Sequence, residues 1–246
     1  HEVRTSQRIA DCLERWGYEV HRGLATTGVV GTLRRGAGRR LGLRADMDAL
    51  PLQEATGKPW SSAHDGVMHA CGHDGHTAML LAAARHLAEA GRFSGTLHLI
   101  FQPAEEHPGG AKLMIEQGLF ERFPCDAIFA MHNMPGIAQG RFAFREGAMM
   151  ASSDDVVIML EGVGGHGAMP HRASDPIVAG AAIVSALQTI VSRNVDPQHT
   201  AIVTVGAFNA GQANNVIPQT ARLALSVRAL DADVRDLLEQ RIRALV

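Results

Sequence analysis

The chain has 246 residues, of which 46% are hydrophobic, and its net charge is −2 with histidine neutral. This length fits one large domain or two smaller ones. The near-even charge and the lack of a long basic run argue against nucleic-acid binding. We find no apolar stretch of about 20 residues, so we expect no membrane span.

The cysteine content favours a reducing compartment, and we expect the protein to be cytoplasmic. Cys12, Cys71 and Cys125 are the only cysteines of the sequence. An odd and sparse set of this kind does not build a disulfide framework. The first residues show no signal peptide, although they resemble the interior of a longer sequence.

The first 150 residues alternate helices with apolar strands. This pattern predicts an α/β domain with a mostly parallel sheet that helices cover. Apolar residues at helical spacing predict helices over 5–16, 76–90 and 111–117. The predicted strands are 29–33, 41–45, 96–101 and 127–131. The first two flank the basic turn 34–40, which we interpret as the tip of a hairpin.

Near residue 150 the pattern changes, which predicts a domain 1–150 followed by a domain 151–246. Asp175 and Pro176 suit the N-cap and first position of a helix that runs to about residue 193. The other predicted elements are the strands 155–160, 201–208 and 221–228 and a helix over 231–245. The order β-α-β-β-α suggests a split βαβ module without its final strand.

The segment 68–76, MHACGHDGH, is the most informative part of the sequence. It holds one thiol, three imidazoles and one carboxylate within nine residues. Borderline divalent metals bind all three of these groups. The simpler alternative is a polar loop that contains a buried cysteine.

Polar residues follow three predicted strands at the point where each strand ends. Asp46 and Asp48 follow the second strand, Glu105 and Glu106 the third, and His132 the fourth. If these strands are parallel, the residues converge on one edge of the sheet, where ligands bind in α/β folds. Because consecutive side chains of an extended backbone point to opposite sides, one glutamate could bind metal while the other faces substrate.

These residues suggest hydrolysis. A pair of metal ions polarises a carbonyl and activates water, and a nearby carboxylate transfers the proton. A rival mechanism uses Cys71 as a nucleophile, which would need a base and an oxyanion hole. The number of other metal-binding groups favours the metal.

Three strings closely resemble the amidohydrolase branch of the M20 metallopeptidase family, which includes hippurate hydrolase, N-acyl-amino-acid amidohydrolases and auxin-conjugate hydrolases. They are LRADMDALP (43–51), MHACGHDGH (68–76) and FQPAEE (101–106). Further matching strings lie in the second domain: GHGAMPH (165–171), DPI (175–177) and NNVIP (214–218). The resemblance extends through the whole chain.

The resemblance implies a catalytic α/β domain with an inserted ferredoxin-like lid that mediates dimerisation, as a homodimer or tetramer. It implies two divalent metal ions, Mn²⁺ or Zn²⁺, with Ni²⁺ or Co²⁺ as alternatives. The implied site residues are the metal ligands Cys71, His73, Glu106 and His132, the general base Glu105, the ligand-orienting acid Asp46, the oxyanion-stabilising His166, and the substrate-carboxylate ligands Asn215 and Arg228.

In one respect the sequence departs from the family. A further metal-binding histidine is expected after the lid, whereas this sequence ends at Val246, within the lid. The resemblance therefore implies a truncated chain with an incomplete second metal site, weak activity and an exposed, aggregation-prone sheet edge.

The leading hypothesis is a metal-dependent amidohydrolase that converts N-acyl amino acids, hippurate-like ones first, into a carboxylate and a free amino acid. Close alternatives are a dipeptidase of the M20 family or an N-acetyl-diaminopimelate deacetylase. An alternative of another class is a non-catalytic binding or assembly protein on the same scaffold. An enzymatic function is favoured over this alternative by the presence of Glu105, Glu106 and Cys71.

Overall fold

The computed structural model describes residues 2–106 and 108–246. The chain forms two compact units, His1–Ile137 and Ala138–Val246. Residues 138–153, which precede the first strand of the second unit, form neither helix nor strand.

The first unit is an α/β unit whose helices and strands follow the predicted order, with one additional strand near the start and one additional short helix. Its elements are α1 (Val3–Arg15), β1 (Glu19–Leu24), β2 (Gly28–Arg35), β3 (Arg40–Asp46), α2 (His73–Glu89), β4 (Gly95–Gln102), α3 (Gly110–Glu116), α4 (Leu119–Arg122) and β5 (Ala127–Ala130).

The five strands form one mixed sheet in the order β1-β2-β4-β3-β5. β3 is parallel to both β4 and β5, whereas the pairs β1–β2 and β2–β4 are antiparallel. The sheet is therefore mixed rather than mostly parallel. The predicted hairpin is wrong as well, because β4 lies between β2 and β3.

The side chains of β4 explain its central place. Leu97, Leu99 and Phe101 belong to a hydrophobic cluster with residues of α1 and α2. Ile100 belongs to a second cluster with Met114 of α3 and residues of α4. A strand that is apolar on both sides is stable only where helices or other layers cover both faces.

The arrangement of the three parallel strands positions the polar residues that follow them. β4, β3 and β5 are neighbours, and they end at Gln102, Asp46 and Ala130. The carboxyl ends of parallel strands meet at one edge of the sheet. The expected convergence of the three strand ends is therefore confirmed.

The second unit consists of a three-stranded antiparallel sheet with two long helices. Its elements are β6 (Asp154–Glu161), β7 (Gly165–His166), a 3₁₀ helix (Pro170–Arg172), α5 (Pro176–Asn194), β8 (Ala201–Ala210), β9 (Val216–Ile217), β10 (Thr220–Ala229) and α6 (Ala232–Leu245). The strand order is β6-β10-β8, and β7 pairs with β9 in a separate two-stranded ribbon. Asp175 accepts hydrogen bonds from Ile177 and Val178, as predicted for an N-cap.

Helix α5 departs from one expectation. By length and composition alone this helix could cross a membrane, although we expect no such stretch from the sequence. The core helix of a globular protein can have the same length and composition. Leu187 and Ile190 of α5 are buried in one cluster with Leu223 of β10 and Leu238 of α6, so this side of the helix packs in the core of the unit.

Candidate metal centre

The candidate centre lies in the first unit, where α2 begins beside the ends of β3 and β5. His73 is the first residue of α2, and Gly72 before it adopts a left-handed conformation with φ of 83°. A Cβ atom on Gly72 would overlap the side chain of Asn133. Glycine thus allows both the turn and the close approach of the segment after β5.

His73 is buried and presents an unpartnered nitrogen. Its Nδ1 donates a hydrogen bond to Oδ1 of Asp48 over 3.1 Å. Its Nε2 is buried and has no hydrogen-bond partner among the described residues. Because Nδ1 carries the proton, Nε2 offers a lone pair, as histidine metal ligands do.

Four further side chains surround this lone pair. Sγ of Cys71 lies 3.3 Å from Nε2 of His132. Carboxylate oxygens of Glu105 and Glu106 each lie 3.9 Å from Nε2 of His73. Within the group Cys71, His73 and His132, and again within His73, Glu105 and Glu106, the ligand atoms all lie within 4.8 Å of one another. The structure therefore brings together all four predicted ligands and the predicted base.

The two glutamates differ from expectation in their orientation. Both carboxylates approach His73, whereas an extended backbone would send them to opposite sides. The backbone turns here, since Ala104 has φ of 50° and Glu105 and Glu106 lie in the turn that follows. The backbone N–H of Glu106 also donates to Oδ2 of Asp48 over 3.0 Å.

These residues fit a divalent cation. Thiolate, imidazole and carboxylate are the groups that borderline metals bind, and the lone pair of His73 is otherwise unused. Burial and the charge of Glu106 raise the pKa of the Cys71 thiol to about 11. Burial and Glu106 also raise the pKa of Glu105 above its usual range. A cation would offset this crowding of acidic groups, which is a common effect of bound metals on neighbouring pKa values.

The raised pKa of Cys71 bears on the rival mechanism. A nucleophilic cysteine needs a thiol pKa that a neighbouring positive charge lowers. Cys71 is close to His132, but carboxylates dominate its surroundings and act in the opposite direction. The environment therefore favours a metal ligand over a free nucleophile.

Asp46 and Asp48 occupy different places in the network. Asp46 is predicted to orient a metal ligand, and the structure shows that the aspartate bonded to the predicted ligand His73 is Asp48. Asp46 accepts from His76 over 2.6 Å and from Arg44 over 2.6 Å. Burial opposes the ionisation of Asp46, but the hydrogen bond from His76 and the charge of Arg44 outweigh it and hold its pKa below the usual range. The sequence predicts that Asp48 lies at the strand end, but it does not predict the hydrogen bond to His73.

The remaining predicted residues lie in the second unit. His166 of β7 pairs with Val216 of β9, and the carbonyl of Asn215 accepts a hydrogen bond from the backbone of Gly167 over 2.8 Å. His166 and Asn215 are therefore close neighbours, and both are exposed.

Arg228 lies elsewhere in this unit. It is an exposed residue of β10, opposite Ile202 of β8. Along an extended strand it is about 26 Å from Thr220, where β10 begins just after β9. The structure thus does not bring Arg228 beside Asn215, although both are predicted to hold the substrate carboxylate.

Comparisons with known proteins are consistent with this geometry. The chain is 54% identical over 242 residues to the hippurate hydrolase of Campylobacter jejuni, which covers 98% of the chain and 63% of that protein. It is 43% identical over 221 residues to an N-acetyldiaminopimelate deacetylase of a Geobacillus species, with 89% and 58% covered.

A solved structure shows the same fold. The Bacillus subtilis protein YXEP, described as a dinuclear metal binding peptidase from the M20 family, matches with a TM-score of 0.79 and 35% identity. The match covers 100% of this chain and 63% of that one. The chain thus spans less than two thirds of the length of each of these relatives. The sequence model of Peptidase family M20/M25/M40 matches residues 42–232, and the chain belongs to this family.

Proposed function

We propose that the protein is a metal-dependent amidohydrolase that cleaves N-acyl amino acids, with hippurate-like compounds as the first substrates. The products are a carboxylate and a free amino acid. The observation that carries this proposal is the group of thiol, imidazole and carboxylate side chains around the unpartnered Nε2 of His73. The similarity to a hippurate hydrolase supports the substrate class.

Cys71, His73, Glu106 and His132 would hold the metal. Their donor atoms suit Mn²⁺ or Zn²⁺, and Ni²⁺ or Co²⁺ also bind such groups. We infer a centre of two divalent ions, which is supported by the dinuclear metal binding of the YXEP protein. When bound, such ions polarise a carbonyl oxygen and lower the pKa of water.

Glu105 would transfer the proton. Its side chain is 43% exposed, against 28% for Glu106, so water and substrate reach it more easily. Its raised pKa brings it closer to neutrality, where a carboxylate both accepts and returns a proton efficiently. Glu105 accepts the proton of the attacking water and donates it to the leaving nitrogen of the amide.

The second unit would act as a lid that binds substrate and joins subunits. The adjacent His166 and Asn215 would contact the scissile carbonyl and the carboxylate of the substrate. Arg228 has a guanidinium that can grip a carboxylate with two hydrogen bonds. Arg228 lies near the far end of β10, whereas Asn215 lies just before β9. We therefore infer that Asn215 and Arg228 of one substrate site come from different copies in a homodimer or tetramer.

A second candidate is a deacetylase of N-acetylated diamino acids. The similarity to an N-acetyldiaminopimelate deacetylase favours it, and the same metal chemistry would serve it. A dipeptidase of the same family is a close variant.

A substrate panel tests these proposals. The full-length protein is loaded with Mn²⁺ or Zn²⁺ and assayed for release of free amino groups from N-benzoyl and N-acetyl amino acids, N-acetyldiaminopimelate and dipeptides. We expect the highest kcat/KM with N-benzoylglycine. Preference for N-acetyldiaminopimelate would favour the deacetylase, and no turnover of any compound would contradict an amidohydrolase.

A further inference from the structure

We propose that His76 is a positioning residue that fixes the metal ligand His132 through Asn133, and is not itself a ligand. This inference rests on the proposed function, since it concerns how the metal centre is held. His76 lies in the first turn of α2, is 3% exposed, and has its ring 4.5 Å from the ring of His132.

Both ring nitrogens of His76 are already used. Nε2 accepts a hydrogen bond from the backbone N–H of Asn133 over 3.0 Å, so this nitrogen is unprotonated. The proton therefore lies on Nδ1, which donates to Oδ1 of Asp46 over 2.6 Å. Asp46, His73 and His76 form a group with metal-ligand spacing, but His76 has no lone pair left to offer.

One end of this chain of hydrogen bonds is anchored in the sheet. Oδ2 of Asp46 accepts from Arg44 over 2.6 Å, and Arg44 also donates twice to Oε1 of Gln102 on the neighbouring strand β4. The hydroxyl of Thr77 donates to the carbonyl of Asp46 over 3.0 Å. Asp46 is therefore held by Arg44 of β3 and by two residues of α2, and Arg44 is itself held by Gln102 of β4.

The other end holds the segment that follows β5. Residues 131–137 form neither helix nor strand and are exposed, so they need an anchor if His132 is to keep one orientation. The carbonyl of Asn133 accepts from Nδ1 of His132 over 2.6 Å, which leaves Nε2 of His132 facing Sγ of Cys71. Holding the backbone of Asn133 thus sets the ring of His132.

The side chain of Asn133 connects the two ligand-bearing segments. It lies against Gly72, between Cys71 and His73, so closely that a Cβ atom at position 72 would overlap it. Its Oδ1 lies 2.5 Å from Nε2 of His76. His76 therefore contacts both the backbone and the side-chain amide of Asn133. Asn133 therefore links His76, Gly72 and His132.

Cobalt binding tests this role without relying on activity. The protein is titrated with Co²⁺, and the affinity and the visible absorption, which reports coordination geometry, are compared for the unchanged protein, His76→Ala and Asn133→Ala. We expect both substitutions to weaken binding, His76→Ala about 10- to 100-fold, and to change the spectrum. His86→Ala, an exposed histidine of the same helix, is the matched control and should leave both unchanged.

The outcomes distinguish the positioning role of His76 from the existence of the metal centre. If His76→Ala and Asn133→Ala bind Co²⁺ with unchanged affinity and spectrum, the positioning role is wrong while the metal centre stands. If His76→Ala does not fold, His76→Phe decides the question, because it keeps an aromatic ring but has no nitrogen to accept from the backbone of Asn133; unchanged affinity and spectrum in this variant would overturn the positioning role. If the unchanged protein binds no Co²⁺, the metal centre and the positioning role are both overturned.

Discussion

The carboxylate of Asp48 holds His73 and Glu106 together: Oδ1 lies 3.1 Å from Nδ1 of His73, and Oδ2 lies 3.0 Å from the backbone nitrogen of Glu106. Asp48 is 4% exposed, so these bonds are sheltered from water. One buried side chain thereby fixes the protonation of one proposed metal ligand and the backbone of another.

Replacing Asp48 with asparagine should weaken metal binding. The amide can accept only one of the two hydrogen bonds, and its NH₂ group would face a donor at the other. We expect about 10- to 100-fold lower affinity for Zn²⁺, measured by titration against a competing chelator. Asp65→Asn, at an exposed position, should bind as the unchanged protein does. Equal affinities for the two variants would show that Asp48 does not orient His73.

The two adjacent glutamates should respond differently to the same substitution. Glu105→Gln removes the proposed base, so we expect kcat to fall by about 10²- to 10⁴-fold while metal affinity is kept. Glu106→Gln removes a proposed ligand and should lower metal affinity as well. Steady-state kinetics and metal titration of the full-length protein check both. Unchanged turnover in Glu105→Gln would remove Glu105 from the role of base.

Gly72→Ala should weaken metal binding as well as strain the backbone. Gly72 and Gly66 both have positive φ, 83° and 72°, but a Cβ atom would overlap Asn133 only at Gly72 and meets open space at Gly66. Each substitution costs about 1–2 kcal/mol for the left-handed conformation. We expect Gly72→Ala to destabilise more in urea unfolding and also to weaken Co²⁺ binding. If Gly66→Ala has equal effects on both, the contact with Asn133 is unimportant.

The buried His98 should make the first unit less stable in acid. Burial, followed by the charges of Arg34 and Arg40, lowers the pKa of His98 below its ordinary value of 6.5. The unfolded chain then binds a proton more readily, so the stability that His98 contributes is complete above pH 6.5 and is lost as the pH falls toward its folded pKa.

Urea unfolding at a series of pH values checks this sign. The decline below pH 6.5 should be smaller in His98→Gln, whatever its stability at neutral pH. His199 provides a contrast, because its hydrogen bond to Asp231 raises its pKa. Its contribution is complete below pH 6.5 and is lost as the pH rises, so His199→Gln should not reduce the acid-side decline. If the stability of His98→Gln falls below pH 6.5 as steeply as that of the unchanged protein, His98 is not the cause of the decline.

The sequence predicts the main helices and strands because most have clear periodicity, and it predicts the convergence at the sheet edge because three apolar strands end in polar residues. It does not predict the place of β4, since strand order depends on which strand can be buried on both faces. Local pattern favours a hairpin between β2 and β3, and the tertiary packing of Ile100 and Phe101 overrides it.

The candidate site is also only partly predictable from the sequence. Cys71, His73 and the glutamates are recognisable from residue type and spacing, but the pairing of Asp48 with His73 and of Asp46 with His76 depends on which oxygen faces which ring. Asp46 and Asp48 are two residues apart on the same chain, so sequence offers no means to choose between them. Asn133 gives no compositional signal, because its role depends on the space left by Gly72.

We propose that the group around His73 is a metal centre that hydrolyses N-acyl amino acids. The most direct measurement is the release of glycine from N-benzoylglycine by the full-length protein, after removal of metal and again after addition of Mn²⁺ or Zn²⁺, beside the His73→Ala variant. We expect no turnover without metal, recovery with metal, and no recovery in His73→Ala. Turnover that persists without metal, or that His73→Ala retains, would contradict it.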